Sequence, residues 1–129
     1  MTKDSDHLHP TVYALKKNLA FNNIIPASEL QSKISMFLSD LTEELKRGGY
    51  MLIGHIKGLI DADDKGHLMF SITSFQEKVH FKGNLLGKIT RAVLTVNVIM
   101  YGIEQKIIKT MLQNVFNKHF YNGGKNHAQ

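Results

Sequence analysis

Apolar residues recur along this chain with two different periods. Leu30, Ile34, Phe37, Leu38, Leu41 and Leu45 follow one another mostly at spacings of three and four, which places them on one stripe of a helix. The stripe predicts a helix over 28–47. Ser28 with Gln31 three residues on has capping-box spacing. Gly48 and Gly49 end the run, and Lys46 and Arg47 suit the negative end of the helix dipole. A shorter helix is predicted from Pro10, with Val12, Leu15 and Leu19 on one side. It ends at NNIIP, because Ile25 precedes a proline. A last helix is predicted over 103–120, with Ile103, Ile107, Met111, Leu112, Val115 and Phe116 inward.

Between the helices the period drops to two. In 50–62, Leu52, Ile56 and Ile60 share one side with Gly54 and Gly58. Met51, Ile53, His55, Lys57 and Leu59 take the other. Residues 67–75 continue as a strand that 77–82 can extend after a kink. Residues 88–101, KITRAVLTVNVIMY, are too β-branched to favour helix.

The stretch DADDKGH after the first strand invites a calcium reading. Such a loop needs oxygen ligands at its first, third and fifth positions and a glutamate at the twelfth. Counted from Asp61, the fifth is Lys65 and the twelfth Ile72, so the pattern fails. A turn fits better: Asp63-Asp64-Lys65-Gly66 suits a type I turn, with Gly66 left-handed in a bulge. That register pairs Asp63 with His67, Ile60 with Phe70, Gly58 with Ile72 and Ile56 with Ser74. A second hairpin around 83–87 would set Phe70 and Ile72 opposite Met100 and Val98.

These pairings collect one apolar face for the helices and leave a second. On the second fall Met51, Ile53, His55, Lys57 and Leu59, then Thr73 and Phe75, then Val93, Thr95, Asn97, Ile99 and Tyr101, with Phe75 between His55 and Thr95. A wet sheet face is usually polar, and this one is about half apolar. Leaving a few hundred Å² of apolar surface in water forgoes several kcal/mol at about 25 cal/mol per Å². Residues 10–25, a second copy of the chain or another macromolecule would cover it.

Composition and charge narrow the picture. The chain has 129 residues, 43% hydrophobic and 21% charged, with no cysteine. One globular domain over 10–121 is expected, with loose tails at 1–9 and 122–129 that hold His7, His9 and His127. The lack of cysteine excludes disulfides, thiolate metal sites and cysteine nucleophiles, and fits a reducing cytoplasm. No apolar run is long enough to span a bilayer, so no membrane partner is expected. The net charge of +5 is uneven: nine basic and ten acidic residues precede Lys82, and seven basic residues with one acid, Glu104, follow from there. Such asymmetry points to a polyanion or an acidic protein. Arg47 and Arg91 are the only arginines, too few for base-edge readout by arginine forks.

Three functional classes follow. The first is a non-enzymatic binding or assembly module that forms a homo-oligomer through the second face; Met51, Ile53, His55, Lys57, Phe75, Thr95, Asn97 and Tyr101 are its interface candidates. The second is nucleic-acid binding. The order helix, three strands, helix resembles double-stranded RNA-binding domains, in which basic residues opening the last helix meet phosphates. The resemblance assigns that role to Lys106 and Lys109, flanked by Lys88 and Arg91. It departs from the pattern at Glu104, in the lack of adjacent lysines and in the acidic hairpin loop. The third is an enzyme using His55 as acid or base beside Thr95 and Asn97. His67 lies too far along the hairpin to share a metal with His55, and His80 alternates with Val79 and Phe81 and points away from the core. No P-loop, Rossmann, HExxH or GxSxG pattern is present, so no cofactor, metal or catalytic residue is implied. The sequence thus predicts an α+β fold: an antiparallel sheet of three long strands, countable as four, with two long helices packed on one face, in α-β-β-β-α order plus the short N-terminal helix.

Overall fold

A computed structural model of the chain describes residues 9–50, 54–74 and 78–121. Strand β1 runs Pro10–Pro26 and helix α1 Ala27–Arg47. Strands β2, His55–Asp61, and β3, Gly66–Ile72, form a hairpin. Strand β4 is His80–Leu85, β5 Lys88–Tyr101, and α2 Gln105–Phe116, followed by a π turn at Asn117–Tyr121. The five strands are antiparallel throughout, in the order β1-β5-β2-β3-β4.

The α+β class and the antiparallel sheet are as expected, but the order is β-α-β-β-β-β-α and the sheet has five strands. The predicted N-terminal helix is a strand. Val12, Leu15 and Leu19 satisfy a helical period, yet Tyr13, Leu15, Lys17, Leu19 and Phe21 alternate just as well. The alternating set is the one that turns inward, while Val12 stays 47% exposed. An inward Lys17 argues against a strand on sequence grounds. Here its ammonium lies 5.4 Å above the Phe116 ring, so the stem is covered while the charge meets an aromatic face.

Helix α1 buries all six stripe residues, each 2% exposed or less. Its N-cap is Pro26 rather than Ser28, with no side-chain cap. The amide of Ala27 instead donates to the Gly87 carbonyl at 2.8 Å. At the other end the Tyr50 amide reaches the Leu45 carbonyl and that of Gly49 the Lys46 carbonyl, with Gly49 at φ +85°. These are the paired bonds of a Schellman stop.

The β2–β3 hairpin keeps the expected faces but slips by two residues. Asp61 pairs with His67, Ile60 with Leu68, Gly58 with Phe70 and Ile56 with Ile72. A two-residue slip preserves which side each residue faces. The loop is a short 3-10 turn over Asp63–Lys65, and the Asp61 carboxylate accepts from the Asp63 amide at 3.0 Å. The acids there are turn formers. Gly66 has φ +100°, and a Cβ on it would lie 2.3 Å from the Asn84 carbonyl oxygen.

The expected β3–β5 pairing does not occur. Strand β4 takes the outer side of β3, and β5 returns to lie between β1 and β2. The chain crosses past the tip of the hairpin on the way, where the Leu86 amide donates to the Lys65 carbonyl at 2.8 Å. Beyond the tip, Ile89 pairs with Ile25 across a bulge in β1, and both are buried.

The helices cover one face of the sheet. There Leu15, Leu94, Val96, Val98, Ile56, Ile60, Leu68 and Phe70 meet the α1 stripe and Ile108, Leu112, Val115 and Phe116 of α2. Ile107 and Met111, expected inward, are only partly buried, and Ile108 takes the inward place. Phe37 of α1 stands edge-on to Phe116 and Phe120, themselves stacked with centroids 4.9 Å apart.

Candidate functional site

The sheet's second face carries no described element. Its predicted cover, residues 10–25, is instead the strand that widens it. The pairing registers arrange its side chains in rows across the strands. One row reads Ala14, Asn97, Lys57, Ser71, His80 from β1 to β4. The next reads Lys16, Thr95, Leu59, Met69, Lys82, and the third Asn18, Val93, Asp61, His67, Asn84. At one end Val12, Ile99 and His55 align, and at the other Ala20 and Arg91.

Between the first two rows lies an open concavity of about 760 Å³. Lys57, Ser71, His80 and Asn97 line it from one row, and Leu59, Met69, Lys82 and Thr95 from the other. The intervening Gly58, Phe70 and Phe81 complete the lining. The glycine has a steric reason: a Cβ at Gly58 would sit 2.3 Å from the Thr95 carbonyl oxygen and 2.2 Å from Phe70 Cζ.

The electrostatics of this face are one-sided. Among the described residues it carries Lys16, Lys57, Lys82 and Arg91, all exposed, against one carboxylate, Asp61. Asp61 stands 4.0 Å from His67 Nδ1, in place of the expected Asp63–His67 pair.

The sequence-predicted residues divide. Lys57 and Asn97 are direct cross-strand neighbours, and Thr95 lies two residues along β5. His55 and Tyr101 are on the same face toward one end, with His55 opposite Ile99. Met51, Ile53 and Phe75 lie outside the described residues. The four anion candidates are not brought together. Arg91 is on the open sheet face, ten residues of strand, or about 33 Å, before Tyr101. Lys88 sits at the far end of β5, while Lys106 and Lys109 are exposed on α2, in the helical layer. Sequence reasoning missed Ser71, Met69, His80 and Lys82 as partners of Lys57. Their alternation was visible, but the placement of β4 beside β3 was not.

A second cluster joins the two helical regions. Asp40 of α1 accepts from His119 Nε2 at 2.9 Å and from Lys118 Nζ at 3.1 Å. These contacts, His119 foremost, hold the Asp40 carboxyl below its ordinary pKa against the opposing effect of burial. Lys33 of α1 donates to the His119 carbonyl at 3.0 Å. The cluster pins the C-terminal turn to α1, and Asp40 and Lys118 border a small open cavity of about 190 Å³. The partners of Asp40 are 78 and 79 residues away, beyond the reach of local spacing.

Among the described residues no three histidine or acidic side chains cluster to hold a metal ion. No helix there is long and apolar enough to cross a membrane.

No protein-family model and no curated protein matches the chain. Two solved structures of the YjiA GTPase are similar to it at 14% identity. They are a Zn(II)-bound triple mutant, with a TM-score of 0.41, and the Zn(II)-bound protein from E. coli, at 0.39. In both, 81% of this chain aligns with 29% of the other.

Proposed function

We propose that this domain is a non-enzymatic binding module, that the open face of its sheet is the working surface, and that its partner is an acidic polypeptide. The observation that carries this reading is the excess of Lys16, Lys57, Lys82 and Arg91 over Asp61 on a face that no described element covers. Apolar Leu59, Met69, Val93 and Ile99 interleave with those charges, which is the mixture a protein interface needs at its centre and rim. Face-to-face stacking of two copies would bring the four cations of each against those of the other, so charge disfavours that homodimer. Nucleic acid loses its main support, because the β-first order removes the resemblance to double-stranded RNA-binding domains. Tyr101 is the one phenylalanine, tyrosine or tryptophan on the described part of the face, a sparse platform for base stacking.

Self-association keeps one independent support. Strand β1 is 17 residues long and lies at the sheet edge. Edge strands of that length offer a template for pairing. Light scattering that gives a monomer mass across a wide concentration range removes this second reading.

The main reading is tested by titrating the isotopically labelled protein with a glutamate-rich peptide and mapping amide shifts. The shifts are expected on β2, β3, β4 and β5 and should fade as salt rises from about 50 to 300 mM. Shifts confined to α2, or none at all, would overturn it.

A further inference from the structure

The concavity at the centre of the open face has the size and chemistry of a small-molecule site. At about 760 Å³ it falls within the range of ligand pockets, which hold mostly apolar lining and a few placed polar groups. Here the apolar part is Leu59 and Met69, neighbours across β2 and β3. The cations are Lys57 on β2 and Lys82 on β4, on either side of Ser71 and Met69. Strand spacing and rise put their backbones about 12 Å apart. Flexible four-carbon stems let both ammonium groups converge above β3. Ser71, paired with Lys57 across β2 and β3, adds a hydroxyl at that point. Among the described residues no carboxylate lines the concavity.

Two converging ammonium groups match a dianion better than a monoanion. A phosphate monoester carries about −1.5 to −2 at neutral pH and accepts several hydrogen bonds. No arginine fork lines the concavity, so recognition rests on point charge and apolar contact rather than on planar bidentate geometry. We infer that the concavity binds a small phosphate monoester with an apolar body, the phosphate between Lys57 and Lys82 and the body over Leu59 and Met69. This rests on the open face being the working surface, and it goes further in naming a ligand class for its centre.

Octyl phosphate is the probe, followed by calorimetry and amide shifts on the full chain. Inorganic phosphate, octanol and octanoate are the comparators. Octyl phosphate is expected to bind more tightly than all three and to shift residues of β2, β3 and β4. Lys57→Gln and Lys82→Gln should each weaken it about tenfold. Both positions are exposed, so folding should be unaffected, and amide spectra of the variants would check that. Lys106→Gln, an equal loss of charge on α2, should change nothing. Equal affinity for octanol would show that the charge is not read, and equal affinity for inorganic phosphate that the body is not. Either result, or insensitivity to both lysine changes, overturns the inference. If the glutamate-rich peptide still maps to the open face while octyl phosphate fails, only the ligand class falls. If neither binds there, the functional reading falls with it.

Discussion

Replacing Gly58 with alanine probes the sheet at its most crowded point. Gly58 sits at the middle of β2 in the core-facing row, between Val96 of β5 and Phe70 of β3. The added methyl would lie 2.3 Å from the Thr95 carbonyl oxygen and 2.2 Å from Phe70 Cζ. Phe70 is 2% exposed and packed in the core beneath the helices, so its ring moves only by displacing neighbours. The carbonyl belongs to a strand paired on both sides and cannot retreat without opening the β2–β5 ladder. Overpacking a rigid site costs about 1–3 kcal/mol and more where backbone must move, so about 3 kcal/mol is expected. With a urea dependence of roughly 2 kcal/mol per M, the unfolding midpoint should fall by about 1.5 M. Gly49→Ala is the control. Nothing lies within 4 Å of a Cβ there, and the only penalty is a φ of +85°, worth about 1–2 kcal/mol. Phe70→Leu added to Gly58→Ala should recover part of the loss, because the carbonyl contact persists. A Gly58→Ala midpoint no lower than that of Gly49→Ala would refute the close approach of β2 to β5.

Other expectations concern the helices and β1. Asp40→Asn should lower stability by about 1–2 kcal/mol at neutral pH. Because the folded carboxyl is held below its ordinary pKa, its contribution is full above the unfolded pKa and disappears as pH falls through the folded one. The wild-type and Asp40→Asn unfolding curves should therefore converge below about pH 4, and a gap independent of pH would contradict the pairing with His119 and Lys118. Lys17→Met should leave thermal stability within about 0.5 kcal/mol, since the stem stays covered and only the contact with Phe116 is lost. Lys17→Glu should cost about 1–2 kcal/mol by placing a carboxylate against the ring face. Equal effects of the two changes would mean that Lys17 does not face α2.

The parts of the fold visible in the sequence are those whose signal is local. The α1 stripe and its glycine stop follow from spacing and backbone freedom alone, and 88–101 is a strand with the bounds its β-branched run predicts. The faces of β2, β3 and β5 were legible for the same reason, but the neighbours were not: the expected order put β3 between Lys57 and Asn97, which pair directly across β2 and β5. The hairpin register was not. Ala62 through Lys65 close the turn with a 3-10 geometry, and that choice moves the pairing by two without changing a single face. Strand β1 was hidden because its residues satisfy both periods, and Lys17 inward is acceptable only once Phe116 is in place. The position of β5 between β1 and β2 depends on long-range pairings such as Tyr13 with Val98 and Ile56 with Val98. Ser71 joins Lys57 only in the slipped hairpin register, and His80 and Lys82 only once β4 lies beside β3. The predicted anion set of Lys88, Arg91, Lys106 and Lys109 followed charge along the sequence, and the fold distributes those four over a sheet face, a strand end and a helix.

The central claim is that the open sheet face, and not the basic helix α2, meets an acidic partner. The most direct measurement compares two charge reversals of equal size: Lys57→Glu with Lys82→Glu on the sheet, and Lys106→Glu with Lys109→Glu on the helix. The affinity of the glutamate-rich peptide should fall at least about tenfold for the sheet pair and by no more than about threefold for the helix pair, through net charge alone. Equal losses for the two pairs, or a larger loss for the helix pair, would contradict the account.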